Sequence, residues 1–331
     1  VVYEIDFLPS GSGSSTSNPS AITVRFTIDG EDDDAIVILD GGRARTGAAI
    51  VEHVRSYYDS HTVDLLIATQ TNAEDLVGLA VVLDELEVRE LLIHQPRRHR
   101  ADDSTEALDA VDRLLDVARH RGTTVTEPFT GLFRFNGQLA ILGPSQTYYE
   151  QLLREPAADR HGRRIRSRVN GVLRRGLARL PVETLSDDAD VTPADNMSVV
   201  TLIQTSGHRL LFAAAAGIPA LEDAADFYES WYGDFATSPV HFLQAPHHGR
   251  PESLGPSVLN QILGPPGAPH NDSCVAFIST PPRVEDLPSP RIVAALRRRG
   301  CAVTATAGRA SCHSVGGPPR PEWTSLAPLE R

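Results

Sequence analysis

Three groups of polar residues stand where an apolar run stops. Asp40-Gly41-Gly42 follows Val37-Ile38-Leu39. The segment Thr69-Gln70-Thr71-Asn72-Ala73-Glu74-Asp75 follows Val63 to Ala68. His247-His248-Gly249 follows Val240 to Ala245 and Pro246. Strand ends are where an α/β architecture places its chemistry. Carboxylates and imidazoles are the side chains that hold a divalent cation, and a set rich in oxygen suits Mg²⁺ or Mn²⁺ better than Zn²⁺. The same residues also have structural uses. Asn72 is a good helix N-cap, the acid three residues on resembles a capping box, and Glu74 and Asp75 complement a helix dipole, each worth about 0.5–1 kcal/mol. Asp40 before two glycines can order a turn. The two histidines can hydrogen-bond to neighbouring backbone.

The elements that must position these groups are legible from periodicity. Val2 to Leu8, Ala21 to Ile28 and Ala35 to Leu39 read as three early strands in a hairpin or meander. Ile50, Val51, Val54 and Tyr57 mark a helix. Val63 to Ala68 is a buried strand, and Ala73 to Leu86 a helix with Leu76, Leu79, Ala80, Leu83 and Leu86 on one face. Leu91 to His94 reads as a strand and Thr105 to Arg121 as a helix. Gln138 to Leu142 is a strand, and Gly143-Pro144-Ser145 leads into a short helix. Val199 to Thr205 and His208 to Ala213 form a hairpin around Ser206-Gly207. Helices at 220–232, 258–263 and 290–299 then alternate with strands at 240–245, 275–279 and 302–305. Both halves follow one plan, strands first and strand–helix alternation after, with no linker between them. This favours one domain with internal pseudo-symmetry and a layered α/β sheet architecture.

Composition bounds the rest. The chain has 331 residues, 41% of them hydrophobic, enough for a large core. The charge of −12 argues against default affinity for nucleic acid phosphate. No run approaches the roughly 18 apolar residues of a membrane span. The start lacks a charged and then apolar leader, so no secretory signal is expected. The chain begins at Val1 and its one methionine is Met197, so the natural start is expected upstream. Cys274, Cys301 and Cys312 are an odd, sparse set that fits a cytoplasmic protein. Every basic residue is arginine, and nine arginines fall between Arg154 and Arg179. Arg163, Arg164, Arg166, Arg168, Arg174 and Arg175 are the candidates for binding an acidic protein partner. The lack of interleaved aromatics disfavours nucleic acid as that partner. Ser10 to Ser14 is glycine–serine turn material, and no nucleophile elbow or phosphate loop is present.

Five segments in order resemble the metallo-β-lactamase superfamily, most closely the branch related to the competence protein ComEC. They are Val37 to Gly42, Thr69 to Leu79, Asn196 to Val199, Leu210 to Ala216 and Ala245 to Arg250, and the resemblance covers about residues 2–312. It implies an α/β (α+β) fold, a four-layer αβ/βα sandwich with two mixed sheets face to face, and a site at one edge between the loops that follow the strands. The expected organisation is one domain over 1–312, an Arg-rich insert at about 154–195 and a flexible C-terminal tail over 313–331.

The departures from that family decide the functional expectation. Where the resemblance implies histidine ligands and an Asp-His pair, this chain has Gln70, Asn72, Glu74 and Asp75. Where it implies a bridging aspartate, this chain has Ala215. Leu287 stands at a further histidine position. Neutral amides are poor zinc ligands and a methyl group cannot bridge cations. The expectation is a pseudoenzyme without cofactor that acts as a binding or regulatory component. The alternative is a metal-dependent hydrolase of phosphodiesterase or nuclease type, whose single Mg²⁺, Mn²⁺ or Zn²⁺ would be held by Glu74, Asp75 and His247 or His248. In that case Asp40, Asp75 and His248 are the catalytic candidates, and a metal-bound water is the nucleophile.

Overall fold

The first strands carry alternating apolar residues whose one face must be covered, and the chain covers it with a second sheet. In the computed structural model the described residues are 2–9, 21–31, 33–99, 105–155, 184–189, 191–267, 274–281, 287–318, 320, 323 and 329. They form two mixed seven-stranded sheets and eight α-helices. The first sheet contains β1 (Tyr3–Leu8), β2 (Ala21–Thr27), β3 (Asp34–Leu39), β4 (Thr62–Ile67), β5 (Glu87–Leu92), β6 (Thr124–Thr126) and β14 (Ser311–Val315), in the order β14-β1-β2-β3-β4-β5-β6. The second contains β7 (Phe133–Arg134), β8 (Leu139–Gly143), β9 (Val200–Thr205), β10 (His208–Phe212), β11 (Phe242–Gln244), β12 (Val275–Ile278) and β13 (Ala302–Ala305), in the order β13-β12-β11-β10-β9-β8-β7.

The two halves do share one plan. Each sheet has antiparallel pairing over its first strands, β14 through β3 in one and β7 through β10 in the other, and parallel pairing over the rest. Between the sheets lies a core drawn from both: Ile5, Phe7, Val24, Val37 and Ile67 meet Ile141, Ile203, Phe212, Phe242 and Phe277. Phe7 and Phe277 stack across it at 5.2 Å.

The outer faces are covered by helices whose apolar residues recur at turn spacing. On the first sheet these are α1 (Ala44–Tyr57), α2 (Ala73–Glu85) and α3 (Glu106–His120), whose buried residues join Ile36, Ile38, Leu66 and Leu91 in a second core. The second sheet is covered chiefly by α6 (Ile218–Tyr232), α7 (Pro256–Leu263) and α8 (Pro290–Arg298). Two short helices, α4 (Gln146–Leu153) and α5 (Pro193–Asn196), complete the set. The layers run helix, sheet, sheet, helix. Among the described residues no helix is long and apolar enough to cross a membrane.

Some boundaries differ from the sequence reading. The fifth strand is Glu87–Leu92, not Leu91 to His94, because Leu86 closes α2 and the chain turns at once into the sheet. The tail does not begin at 313. Tyr3, Glu4 and Ile5 pair with Val315, Ser314 and His313 in β14. Beyond the strand, Arg320 reaches Glu4 and Asp6, and the indole of Trp323 donates to the Tyr57 hydroxyl at 3.2 Å. Proline and glycine content concealed a segment held by a ladder and buried carboxylates. Of the expected insert, Leu185 is buried in the outer core of the second sheet, and Asp187 accepts from both the backbone N–H and the hydroxyl of Ser257. The Gly-Ser run, Arg163, Arg164, Arg166, Arg168, Arg174 and Arg175 lie outside the described residues.

Candidate functional site

The carboxyl ends of β3, β4, β10, β11 and β12 share one edge of the sandwich, and the loops after them carry the polar groups singled out above. The glycines are there because backbones touch. The N–H of Gly78 donates to the Gly42 carbonyl at 2.8 Å, and a methyl group added at Gly78 would collide with the Gly41 carbonyl. One added at Gly41 would run into Gly78 and Leu79. The loop after β3 is thus pressed onto α2, and this contact sets where Asp40 and Asp75 stand.

Asp40 has φ +60°, uncommon outside glycine, and a tether stabilises it there. Its carboxylate accepts from the Thr69 backbone N–H at 2.8 Å and from the Thr69 hydroxyl at 2.6 Å. These bonds clasp the ends of β3 and β4 together, rather than ordering Asp40's own turn. Burial pushes Asp40 up to about 6, against the pull of the two Thr69 bonds.

Asp75 is buried in the first turn of α2, and one of its oxygens has no hydrogen-bond partner. Burial first, then the charges of Asp40 and Glu74, push it up to about 8, so it is mainly neutral at pH 7. The expected capping box does not form. Asn72 holds the N-cap position but its side chain makes no cap bond, and α2 is closed there by backbone bonds from Asp75 and Leu76 to the Asn72 carbonyl. Glu74 points outward, 51% exposed, and pairs with Arg43 at 2.9 Å.

Across the edge, Gln70 and His247 both turn to one carboxylate that sequence reasoning missed. The Gln70 amide donates to Asp195 Oδ1 at 3.3 Å, and His247 Nδ1 lies 3.6 Å from the same oxygen. Asp195 is held by α5, where its other oxygen accepts from the Thr192 hydroxyl at 2.7 Å and the Thr192 N–H at 3.2 Å. The only available signal was Thr192-Pro193-Ala194-Asp195, a capping box beside the Asn196 motif, and it reads as structural. Asn196 itself accepts from the Gly217 N–H. Ala215 lies in the turn that follows β10, where Ala214 has φ +48° and is fixed by Gln244, whose side-chain oxygen accepts the Ala214 N–H at 2.8 Å.

His248 has a fixed ring: its Nδ1 donates to the Ser279 carbonyl at 2.7 Å, which leaves Nε2 as an acceptor. The rings of His247 and His248 are 6.2 Å apart and nearly perpendicular. Burial holds both histidines below the usual imidazole range.

The structure therefore brings Asp40, Thr69 and Asp75 together at one side, and Gln70, Asp195 and His247 at the other. Glu74 is drawn away by Arg43 and His248 by Ser279. Among the described residues no group of three or more histidine, cysteine or acidic side chains is arranged to hold a metal ion. The donors present do not suit the two-metal centre implied by the resemblance, with amides at two positions and a methyl group at the third.

Compared with known proteins, the chain matches no family model and no curated protein.

Proposed function

We propose that the chain is a metallo-β-lactamase-fold protein whose edge cleft no longer carries a metal centre, and that it works in the cytoplasm as a binding or regulatory component with a protein partner. The helix–sheet–sheet–helix layering and the matched plan of the two sheets support the fold. One observation carries the functional reading. The Gln70 amide donates to the Asp195 carboxylate and the neutral imidazole of His247 lies 3.6 Å from the same oxygen, so an amide and a lone carboxylate stand where a set of cation ligands would.

The test is the metal content of protein purified without chelator. The expected result is less than about a tenth of an equivalent of any transition metal, since neutral amides and a methyl group stand where ligands would be needed. Stoichiometric metal would overturn the reading.

A second reading has one observation in its favour. The unpartnered, buried oxygen of Asp75 is an acceptor that a single Mg²⁺ or Mn²⁺ would satisfy, as in a single-metal hydrolase of the phosphodiesterase or nuclease type. If metal is found and either Asp75→Asn or His247→Ala removes it, this reading replaces the first.

A further inference from the structure

Cys274 and Cys301 stand side by side at the starts of two neighbouring strands. Val275, the first residue of β12, is in register with Ala302, the first of β13, and the Ala302 N–H donates to the Cys274 carbonyl at 3.0 Å. The two cysteines directly precede this pair, so strand pairing alone sets them opposite each other. Both are free thiols, buried on the outer side of the second sheet with Ala276, Val303, Ala295 and Leu296. The Cys301 thiol donates to Cys274 Sγ at 3.2 Å. Adjacent strands lie about 4.8 Å apart, within the range of roughly 4.4–6.8 Å that separates the Cα atoms of a disulfide. Side-chain rotation on the existing backbone can therefore join the sulfurs. The third cysteine, Cys312, lies in β14 on the other sheet, against Asp6.

The surroundings divide the roles of the two sulfurs. Cys301 keeps its proton, because its hydrogen bond to Cys274, then burial and the charge of the neighbouring sulfur, push its thiol well above the ordinary range. That proton is offered to Cys274, which is thus the sulfur placed to act as nucleophile. Arg299 pulls Cys301 the other way. Its buried guanidinium, held by Asn260 Oδ1 at 2.8 Å and the Ala295 carbonyl at 3.0 Å, favours the Cys301 thiolate once Cys274 no longer holds charge.

We propose that Cys274 and Cys301 are a redox modification site, oxidised by a hydroperoxide to a disulfide that joins β12 to β13. The Cys274 thiolate attacks one oxygen of hydrogen peroxide and becomes a sulfenic acid, while the O–O bond breaks and the departing hydroxide takes a proton to leave as water. The Cys301 thiolate then attacks the sulfenic sulfur, the S–O bond breaks, and a second water leaves. Two thiols and one peroxide give one disulfide and two waters. The bond closes a ring between residues 27 positions apart. That ring includes Ser279, whose carbonyl holds His248, and Ser289, whose N–H donates to the Gly249 carbonyl at 3.1 Å. Oxidation thus staples the segment that anchors the histidine turn. The assignment rests on strand pairing and not on the reading of the cleft.

The test treats the reduced full chain with hydrogen peroxide, alkylates the remaining thiols in denaturant and maps the peptides without reductant. The expected result is the loss of two alkylatable thiols. The Cys274 and Cys301 peptides are recovered as one species, lighter by two hydrogens and separated again by dithiothreitol, while Cys312 is alkylated. Cys301→Ala is expected to stop at a sulfenic acid on Cys274, trapped by dimedone. Oxidised wild type is expected to melt several degrees above the reduced chain, since the new bond restricts the unfolded state. Alkylation of both cysteines after treatment, a bond to Cys312 or to a second chain, or an oxidised form that melts at or below the reduced one would overturn the proposal.

Discussion

Two pairs of buried carboxylates sit on the first sheet and its helices, and they are treated in opposite ways. Glu4 and Asp6 project from β1 toward α1 and are fully buried, yet they are surrounded by cations and donors. Arg25 reaches Glu4 at 2.6 Å, Arg320 reaches Glu4 at 3.0 Å and Asp6 at 3.3 Å, and His53 and the Tyr58 hydroxyl close on Asp6 at 2.9 and 2.7 Å. Although burial alone would raise Asp6, the bonds and charge of His53, with Cys312 and Tyr58, hold it below the usual range. Asp40 and Asp75 have donors but little positive charge: Asp40 accepts twice from Thr69, and the one cation near Asp75, Arg43, is engaged with Glu74. Burial, joined at Asp75 by the charges of Asp40 and Glu74, outweighs these, and both carboxyls are pushed up. A buried ion network is costly to break because one partner's loss strands the other. A buried carboxyl without cations escapes that cost by keeping its proton. The first pair is kept ionised by its cations, and the second is not.

The comparison breaks most severely from the architectural side. Arg320→Ala leaves two buried carboxylates with one cation fewer and strips the guanidinium that lies 4.6 Å over the Tyr57 ring. The expected loss is about 3–5 kcal/mol, read as a lower urea midpoint at pH 7. On the cleft side the sensitive element is backbone rather than charge. Gly78→Ala must push the loop of Gly41 off α2, and it is expected to cost about 1–3 kcal/mol or more by overpacking.

Smaller effects sharpen the contrast through pH. His94 is fully buried with neither ring nitrogen bonded, stacks on Tyr149 at 4.3 Å, and is pushed down to about 3 by burial and by His99. The unfolded chain takes up this proton near 6.5 and the folded chain does not. Stability is therefore lost as pH falls below 6.5, at about 1.4 kcal/mol per pH unit, until the folded value is reached. His94→Phe keeps the stacking and removes this slope, so the variant is expected to gain on wild type between pH 6.5 and 5 in urea unfolding. Asp75 has the opposite sign. Its folded value lies above the unfolded one, so the folded chain keeps a proton that the unfolded chain releases, and stability is lost as pH rises from about 4 until the folded value near 8 is reached. Asp75→Asn removes this slope, so the variant is expected to gain on wild type as pH rises from about 4 and to be the more stable protein at pH 7 and at pH 9 in urea unfolding.

Much of this was legible in the residues. The strand and helix order and the shared plan of the two halves follow from periodicity and turn chemistry, whereas the meeting of the three loops at one edge was implied only by the family resemblance. Backbone bonding by the two histidines was one of two readings left open, and only His248 shows it, to Ser279 after β12 rather than to its own turn. What was not legible depends on distant partners. β7 is two residues long and β14 lies among glycines and prolines, so neither has a pattern of its own; each becomes a strand only by pairing with β8 or β1. Asp195 is 125 positions from Gln70 and 52 from His247, and no local rule links them. Asn72 had the right type and place for a cap, but its neighbour Asp75 has turned inward, where burial rather than the helix dipole sets its charge.

The most direct measurement is a carbon-detected NMR titration of the Asp75 and Asp6 side-chain carboxyls in one sample, repeated with equimolar Zn²⁺ and Mn²⁺. The account predicts that Asp75 titrates near 8 and Asp6 below the ordinary carboxylate range, with neither moved by the metals. An Asp75 carboxylate already ionised at neutral pH, or one whose titration falls when a cation is added, would contradict it.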